Sequence, residues 1–567
     1  MLRHAAQHVP DRTLVAQRSE SGGWRRLTYG EVRQNVDAIA QALLRRKLKR
    51  PVLILAGNSI EHLLMALACQ SIGVPYVPVS TGYSLREGEQ RELRHIAQTV
   101  RPSLVLVNEV AVFSRAIAAV REAATTMPEV VTIASGDRAT DFAELADTKV
   151  TSAVEHANAG VGPDTVAKYL FTSGSTGTPK GVVTTHGMLC ANQQMMRQAW
   201  PFLADEPPVL LDWLPWSHTF GGSHNINLAI HNCGTFFIDD GRPAPQEFEQ
   251  TLSNLVDVQP TVYLNVPLAL RRLAERLEND PILARGFFQR LRVLFYAAAA
   301  LPQDTWNQLT RLAEIYADHP VALTTSWGAT ETAPAAVSAH FPAAQADCIG
   351  VPLPGVSAKL VPTHGKMEIR VKGPTVMPGY LEQPSMTSQV FDREGYFKTG
   401  DAVELVNPAD PQTGLRFNGR LAEDFKLDSG TWVNSSAVRS ALIEAAGNLL
   451  LDCLVTGHDK SYIAVLAWPN EPACRKLTMS RAPLANLGAH PELRNALLHA
   501  LHIVNANTGS SRRIRRLTLL DEAPDPLSGE VTDKGYINQA ASLARRAFHV
   551  AALFDEPAPG HILDVDA

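Results

Sequence analysis

The first 160 residues of the chain alternate between two kinds of hydrophobic pattern. Residues 29–47 place apolar side chains at helical spacing, and residues 52–56 (VLILA) then form a short, continuously apolar run. Residues 61–72 return to helical spacing, and residues 74–79 are again apolar and β-branched. Strands that alternate with helices of this length pair in parallel, because the helix carries the chain back across the sheet. We therefore predict an α/β body whose mainly parallel sheet is covered by helices on both faces.

The pattern changes near residue 351. Glycine and proline become frequent there, and residues 366–372 (KMEIRVK) alternate as in half-buried antiparallel strands. An amphipathic segment at 493–505 belongs to a smaller, more polar C-terminal part. We therefore predict a large N-terminal domain with an added antiparallel β subdomain and a smaller α+β domain, bounded as residues 1–418 and 419–567.

Composition excludes several classes of protein. Of the 567 residues, 45% are hydrophobic and 19% are charged, which is typical of a folded globular chain rather than a disordered one. The net charge of −5 provides no long-range attraction to nucleic acid. The sequence has no apolar run of about 18 residues, no secretory leader pattern and no paired cysteine motif. We expect a cytoplasmic protein without membrane insertion or nucleic-acid partners.

The strongest local signal is the segment 169–187 (YLFTSGSTGTPKGVVTTHG). An apolar strand end leads into a loop rich in glycine and hydroxyl side chains, which can surround phosphate oxygens with N–H and O–H donors. Lys180 adds a positive charge suited to a polyphosphate. The segment lacks the Gly-Lys-[Ser/Thr] order of a Walker A loop. The candidate phosphate ligands are Thr172, Ser173, Gly174, Ser175, Thr176, Gly177 and Lys180.

Five further motifs follow this loop in a fixed order. They are LPWSHTFG at 214–221, YAAAAL at 296–301, SWGATET at 326–332, YFKTGD at 396–401 and Gly419-Arg420. Together with the loop, this order resembles the adenylate-forming superfamily, which includes acyl-CoA synthetases, peptide-synthetase adenylation domains and luciferases. The resemblance covers nearly the whole chain and implies the superfamily fold, with a large body and a smaller, mobile C-terminal domain.

The resemblance also implies the nucleotide site, and the residue types suit those roles. Glu331 supplies a hard oxygen ligand for Mg²⁺, and Thr330 can donate to an α-phosphate oxygen. Asp401 can accept from ribose hydroxyls, and Arg420 can reach the same sugar. The expected ATP- and AMP-binding residues of these later motifs are Ala298, Ala299, Ala300, Trp327, Gly328, Ala329, Thr330, Asp401 and Arg420.

The C-terminal motifs are similar to those of feruloyl-CoA synthetases. In the segment GRLAEDFKLDSGTWV, Ala422 stands at the domain pivot, where most of the superfamily carries Asp or Lys. The superfamily's catalytic lysine usually follows Ser-Gly, but here Ser528-Gly529 is followed by Glu530. Lys534, four residues later, is therefore assigned the catalytic role, together with Thr330, Glu331 and His218.

The acid-binding pocket is assigned from the same resemblance. Its aromatic and small side chains suit a flat slot for an aryl ring. The expected lining is His218, Tyr263, Val266, Pro267, Tyr296, Ala297 and Ala333. The expected activity is ATP-dependent ligation of an aromatic, feruloyl-type carboxylic acid to coenzyme A, with Mg²⁺ as cofactor and a homodimer as a candidate assembly. A medium- or long-chain fatty acyl-CoA ligase and a nucleotide-binding protein without turnover remain as alternatives.

Overall fold

A computed structural model provides the three-dimensional description of the chain. It describes residues 1–86, 88–124, 127–134, 139–173, 178–244, 246–341, 345–363, 365–480, 482–506, 508–525, 528–531 and 537–566. The chain forms two compact units. Unit 1 contains residues 1–358, 371–397 and 406–415, and unit 2 contains residues 359–370, 398–405 and 416–567. The domain boundary at 418–419 stays a prediction.

The described helices are bounded as follows: α1 Leu2–His8, α2 Tyr29–Arg46, α3 Ile60–Ser71, α4 Thr81–Ser84, α5 Arg91–Val100, α6 Ser114–Ala123, α7 Phe142–Ala146, α8 Ser152–Ala159, α9 His186–Ala199, α10 Ile226–His231, α11 Phe248–Val258, α12 Pro267–Asn279, α13 Pro281–Phe288, α14 Gln303–Tyr316, α15 Pro384–Val390, α16 Ser435–Ala445, α17 Glu471–Thr478, α18 Leu484–Leu487, α19 Pro491–Asn505, α20 Gln539–Arg545 and α21 Ala547–Ala552.

The described strands are bounded as follows: β1 Thr13–Arg18, β2 Trp24–Thr28, β3 Val52–Ile54, β4 Tyr76–Pro78, β5 Leu104–Val107, β6 Glu129–Thr132, β7 Thr140–Asp141, β8 Val166–Ser173, β9 Pro179–Thr185, β10 Val209–Asp212, β11 Thr235–Ile238, β12 Val262–Asn265, β13 Val293–Tyr296, β14 Ala322–Gly328, β15 Ala335–Ser338, β16 Cys348–Pro352, β17 Ser357–Thr363, β18 Lys366–Lys372, β19 Phe397–Leu405, β20 Leu415–Arg420, β21 Phe425–Lys426, β22 Trp432–Val433, β23 Leu450–Thr456, β24 Ile463–Pro469, β25 Ile514–Leu519 and β26 Leu563–Asp564.

Helix α2 illustrates how local sequence sets the ends of an element. Thr28 Oγ1 accepts the Glu31 N–H at 3.2 Å, and Glu31 Oε2 accepts the Thr28 N–H at 2.8 Å, which forms a capping box. The helix ends where Lys47 adopts the left-handed conformation at φ 51°. Between these ends, Val36 and Ile39 on the apolar face are buried in the core.

The main sheet of unit 1 has seven strands in the order β7-β6-β5-β3-β4-β8-β9. Its paired strands run parallel except β8 and β9, which are antiparallel. Val52 and Ile54 of β3 pack in the same core as Ile39 of α2, whereas Leu53 packs with Ile96 of α5. Because side chains alternate between faces along a strand, the two clusters lie on opposite faces of the sheet. The predicted parallel sheet covered by helices on both faces is confirmed.

Two more groups of strands complete unit 1. A four-stranded sheet has the order β10-β11-β1-β2, in which only the β1–β2 pair is antiparallel. Strands β12, β13 and β14 are parallel neighbours, and β15 and β16 continue from β14 in antiparallel pairs. The ends of β12, β13 and β14 therefore lie side by side, which brings two of the predicted motifs, YAAAAL and SWGATET, near the predicted pocket residues Val266 and Pro267.

Unit 2 combines sheets with helices around a separate core. Strands β17 to β20, most of whose residues belong to this unit, are ordered β20-β19-β18-β17, and a second sheet is ordered β23-β24-β25-β26. Val438 and Leu442 of α16 pack in one cluster with Val455, Val465 and Leu501. In the described part of the chain, no helix combines the length and apolar character that a membrane span requires.

Candidate functional site

The phosphate-loop segment joins two paired strands of the main sheet. Thr172 pairs with Lys180 and Ser173 with Pro179, so the loop leaves β8 and returns directly along β9. The loop residues Gly174, Ser175, Thr176 and Gly177, and the side chain of Ser173, lie outside the described residues. The pairing places Thr172 and Lys180 opposite each other on adjacent strands, at the two ends of the predicted phosphate loop.

Lys180 lies beside a tyrosine that sequence reasoning did not assign. Its Nζ is 5.5 Å from the ring centroid of Tyr380, a distance typical of a cation–π contact. The hydroxyl of Tyr380 donates to Glu331 Oε1 at 3.0 Å. Burial, reinforced by the Glu331 carboxylate, raises the pKa of Tyr380, so the phenol keeps its proton and remains a donor. Tyr380 thus connects the predicted phosphate-binding lysine with the predicted metal ligand.

The turn that carries Glu331 requires a glycine. A Cβ added at Gly328, the last residue of β14, would lie 1.9 Å from the carbonyl oxygen of Pro334, so no larger residue fits. Thr332 Oγ1 accepts the Ala329 N–H at 2.8 Å, and the Glu331 carbonyl accepts the N–H of Met377 at 2.8 Å. These backbone contacts hold the predicted nucleotide motif in one conformation.

Glu331 suits a magnesium ion that is held mainly by the nucleotide. Its carboxylate is half-buried and already accepts the Tyr380 hydroxyl, which orients it. Among the described residues, no group of three His, Cys, Asp or Glu side chains could hold a metal ion. Mg²⁺ usually takes one or two carboxylates together with substrate phosphates and water, so a single oriented carboxylate fits this use.

The segment that contains His218 is held at both ends by buried polar side chains. Asp212 Oδ1 accepts the Leu214 N–H at 2.9 Å, and Asp212 Oδ2 accepts Asn225 Nδ2 at 2.8 Å. Burial raises the pKa of Asp212 to about 7. Asn58 accepts the Trp216 N–H at 3.0 Å and donates to the Leu214 carbonyl at 2.9 Å.

Two glycines allow this segment to fold back on itself. Residues 220–225 form a π-helical turn, a feature that is frequent at functional sites. A Cβ on Gly221 would lie 2.4 Å from the carbonyl oxygen of Leu214, and one on Gly222 would lie 2.1 Å from that of Trp216. His218 is half-buried, and its carbonyl accepts the Gly222 N–H at 2.8 Å.

Five other predicted acid-pocket residues lie in β12 and β13 or directly after these strands. Asn265 pairs with Tyr296, which brings Val266 and Pro267 near Ala297. Tyr263 and Tyr296 are both buried in the same apolar cluster. Asn265 Nδ2 donates to the Tyr263 hydroxyl at 2.9 Å. The two tyrosines therefore have clear packing roles, and their predicted contact with substrate stays a prediction.

The predicted adenine-lining alanines differ from these core residues. Ala298, Ala299 and Ala300 are exposed immediately after β13. Ala298 adopts φ 78°, in the left-handed region that non-glycine residues seldom adopt. Ala333, assigned to the acid pocket, also has a positive φ of 59° but is buried. Strained backbone of this kind is concentrated at functional sites.

Four predicted residues belong to unit 2, and the structure describes three of them. Arg420 Nε lies 3.8 Å from Asp401 Oδ1, so the two residues assigned to the ribose are neighbours. The Asp401 N–H donates to Thr399 Oγ1 at 3.0 Å. Ala422 is exposed in a 3₁₀ turn formed by Leu421–Glu423, and its role as pivot stays a prediction. The catalytic candidate Lys534 lies outside the described residues.

Glu530, which stands where the superfamily pattern places lysine, is a buried ion-pair partner. Arg546 Nε donates to Glu530 Oε1 at 2.7 Å, and a second nitrogen of Arg546 donates to Oε2 at 3.0 Å. The Asp525 N–H also donates to Oε2, at 2.9 Å. Glu530 is fully buried and Arg546 nearly so, which fits a structural role for this pair.

Comparisons with known proteins place the chain in a family. Residues 2–381 match the family described as AMP-binding enzyme. A probable CoA ligase from Humulus lupulus is 26% identical over 510 residues, 85% of this chain and 78% of that protein. Feruloyl-CoA synthase from an Amycolatopsis species is 29% identical over 395 residues, 67% of this chain and 71% of that protein.

The solved structures include enzymes of the same fold. A structure of the anthranilate CoA ligase AuaEII in complex with anthranoyl-AMP superposes with a TM-score of 0.75 at 18% identity, covering 97% of each chain. The predicted α/β fold of the adenylate-forming superfamily is thereby confirmed. The chain belongs to the AMP-binding enzyme family.

Proposed function

We propose that the chain is an ATP-dependent carboxylate–CoA ligase that acts on an aromatic, hydroxycinnamic-type acid. In the first half-reaction a carboxylate oxygen of the acid attacks the α-phosphorus of ATP, and pyrophosphate leaves. In the second, the thiol of coenzyme A attacks the acyl carbonyl and AMP leaves. The observation that carries the proposal is the connection from Lys180 through Tyr380 to Glu331, which joins the predicted phosphate-binding lysine to the predicted metal ligand.

Both ends of this connection, Lys180 and Glu331, act in the first half-reaction. Negative charge moves onto the departing pyrophosphate, and Lys180 at the mouth of the loop opposes that charge. Thr330 donates to an α-phosphate oxygen, and Glu331 holds Mg²⁺, which supplies charge neutralisation of the phosphates when it is bound. Tyr380 keeps Glu331 oriented, so the carboxylate needs no rearrangement when the nucleotide binds.

Unit 2 contains three further residues to which we assign roles in the reaction. Asp401 accepts from the ribose hydroxyls, and its neighbour Arg420 donates to the same sugar. Lys534 provides a further positive charge during adenylate formation. Lys534→Ala is then expected to abolish adenylate formation while sparing thioester formation from supplied acyl-AMP, since the second half-reaction does not use this charge.

The aromatic substrate is supported by two independent lines. The segment 214–225 contributes two rings, Phe220 and His224, to one buried cluster, in which both contact Phe295. Aromatic walls favour a flat acid over a flexible chain. One relative of 29% identity is a feruloyl-CoA synthase, and this name supports an aromatic acid as substrate.

The test measures pyrophosphate release with cinnamic, benzoic and fatty acids, each with and without coenzyme A. Release with cinnamic acids, and acyl-CoA formation only when coenzyme A is added, is the expected result. Release with fatty acids alone would replace the aromatic proposal with the fatty acyl-CoA ligase. No release with any acid would favour a nucleotide-binding protein without turnover.

The catalytic lysine is tested in the two half-reactions separately. The matched control is Lys476→Ala, which removes an exposed lysine on α17 of the same unit. Equal loss of both half-reactions in Lys534→Ala would contradict the assignment of Lys534, and so would loss of activity in the control.

A further inference from the structure

Lys168 is a fully buried lysine to which the proposed reaction assigns no role. It lies in β8, four residues before the predicted phosphate ligand Thr172, and is 0% exposed. Among the residues that the structure describes, its Nζ donates one hydrogen bond, to the Gly222 carbonyl at 2.6 Å, and forms no ion pair with a carboxylate. The ring centroid of Tyr76 lies 5.7 Å from the same nitrogen. Lysine is seldom buried to this extent without a partner of opposite charge.

This lysine does not contribute to the stability of the fold. Burial lowers the pKa of Lys168 to about 7, so near neutral pH the folded protein carries the cost of a desolvated ammonium group. One hydrogen bond to a carbonyl offsets only about 1 kcal/mol of that cost. Replacing buried ionic groups by apolar side chains of similar volume is often neutral or stabilising. The side chain therefore has a task other than stabilising the fold, and groups that reduce stability are concentrated at functional sites.

The partner of Lys168 connects it to the predicted acid-binding histidine. Gly222 accepts the lysine through its carbonyl and donates through its N–H to the His218 carbonyl at 2.8 Å. The same glycine packs closely on the preceding residues, because a Cβ at this position would lie 2.1 Å from the Trp216 carbonyl oxygen. Gly222 therefore contacts both the side chain from β8 and the backbone of residues 216–218. Two hydrogen bonds in series join Lys168 to His218.

We propose that Lys168 is a positioning residue, which fixes the Gly222 carbonyl and thereby holds His218 in place for the acid. This inference rests on the proposed function and adds a residue to it. The carboxylate of the acid and the α-phosphorus of ATP must meet in one geometry, so the segment predicted to border the acid has to be fixed relative to the strand that leads into the phosphate loop. Lys168 supplies that link, because it belongs to β8 and its side chain ends at Gly222.

Removal of the Nζ donor is expected to impair use of the acid and to spare binding of the nucleotide. Lys168→Met does not alter the backbone pairing of β8 with β9, so Thr172 and Lys180 stay opposite each other. The Gly222 carbonyl, however, loses the donor that fixes it, and a displacement of about 1 Å near the reacting groups can cost about 100-fold in rate. We therefore expect kcat/KM for the acid to fall about 10- to 100-fold, while the dissociation constant of ATP changes by less than about twofold.

The test measures two quantities in wild type and Lys168→Met. The first is kcat/KM, from pyrophosphate release at saturating ATP, for the cinnamic, benzoic or fatty acid that wild type uses best. The second is the dissociation constant of ATP in the absence of acid, from calorimetric titration with Mg²⁺ present. Thr184→Val is the matched control and is expected to keep both wild-type values, because Thr184 is the buried residue that pairs with Lys168 on β9. Lys168→Gln keeps an N–H donor without the charge, so its kcat/KM is expected to exceed that of Lys168→Met by at least about threefold.

The outcomes separate this inference from the proposed function. A wild-type kcat/KM in folded Lys168→Met overturns the role of Lys168 and leaves the ligase proposal standing. An equal loss of acid use and of ATP affinity does the same, and so does a Lys168→Gln protein no more active than Lys168→Met. Lys168→Leu is a second apolar variant, and failure of both apolar variants to fold would overturn the inference by showing that the lysine serves the fold. Release of pyrophosphate with no acid in wild type would overturn the proposed function itself.

Discussion

Lys168 offers a test of how strongly the core around the predicted acid-binding segment excludes water. This lysine lies in β8, is 0% exposed and donates to the Gly222 carbonyl at 2.6 Å. Its Nζ lies 5.7 Å from the ring centroid of Tyr76. Burial lowers the pKa of Lys168 to about 7, and burial together with the Lys168 charge lowers the pKa of His62 to about 4.

The stability effect of this burial depends on pH. The lysine pKa is about 10.4 in the unfolded chain, so between pH 7 and pH 10 the unfolded state binds one more proton than the folded state. The free energy of unfolding therefore rises with pH in this window, by about 1.4 kcal/mol per unit for this group. Below pH 7 both states are protonated, and the full penalty for the buried charge, about 4–5 kcal/mol, is present.

The proposed perturbation is Lys168→Met, which keeps the length of the side chain and cannot titrate. Near pH 7 the variant loses the penalty of the buried charge but also loses a hydrogen bond to Gly222 worth about 1 kcal/mol. It is therefore expected to be more stable than wild type by about 3 kcal/mol at pH 7. This advantage should shrink by about 3 kcal/mol between pH 7 and pH 9.5.

The assay is urea unfolding of both proteins, followed by tryptophan fluorescence at half-unit steps from pH 7 to 9.5. Subtracting the two curves cancels every group that titrates alike in both proteins. Lys149→Met, which removes an exposed lysine, is the control and is expected to differ from wild type by a constant amount. A Lys168→Met difference that stays constant within about 1 kcal/mol would refute the reasoning, because Lys168 would then titrate as it does in water.

Three further predictions concern single side chains. Glu530→Leu leaves Arg546 buried without its carboxylate, and calorimetry should find unit 2 destabilised by about 3–5 kcal/mol, an effect reversed by also replacing Arg546 with Met. Gly328→Ala places a methyl group against the Pro334 carbonyl and should reduce the rate of pyrophosphate release more than tenfold, which corresponds to an activation free energy higher by about 1.4 kcal/mol or more. The circular dichroism spectrum should stay unchanged. Glu331→Gln should raise the Mg²⁺ concentration needed for half-maximal pyrophosphate release, and an unchanged requirement would contradict its metal-binding role.

Much of the fold followed from local patterns in the sequence. The helical spacing of 29–47 and 61–72 and the apolar run at 52–56 predicted elements that occur as α2, α3 and β3. Such patterns succeed because the side chains of one helix face or one strand must share a single environment. The motifs also predicted the family from the sequence alone, because each motif is a contiguous segment that can be recognised without knowledge of the fold.

Contacts between distant segments were not predictable in this way. The sequence analysis assigns no role to Tyr380, yet its hydroxyl orients Glu331 and its ring contacts Lys180. The stacking of His224 on Phe295, 71 positions later in the chain, could not be predicted from the sequence either. Hydrogen-bond partners depend on which strands and turns become neighbours, and no local periodicity encodes that choice.

Glu530 illustrates both what the sequence determines and what only the tertiary structure decides. The sequence alone determined that the chain has Ser528-Gly529-Glu530 where the superfamily pattern carries lysine, and it left Lys534 as the candidate. Only the tertiary structure decided that Glu530 is buried against Arg546 and thus serves the core of unit 2. Local sequence determines which elements form because their hydrogen bonds and side-chain faces are short-range. The packing of those elements decides which charges lose water, and desolvation sets whether a charged side chain holds the fold together or faces a ligand.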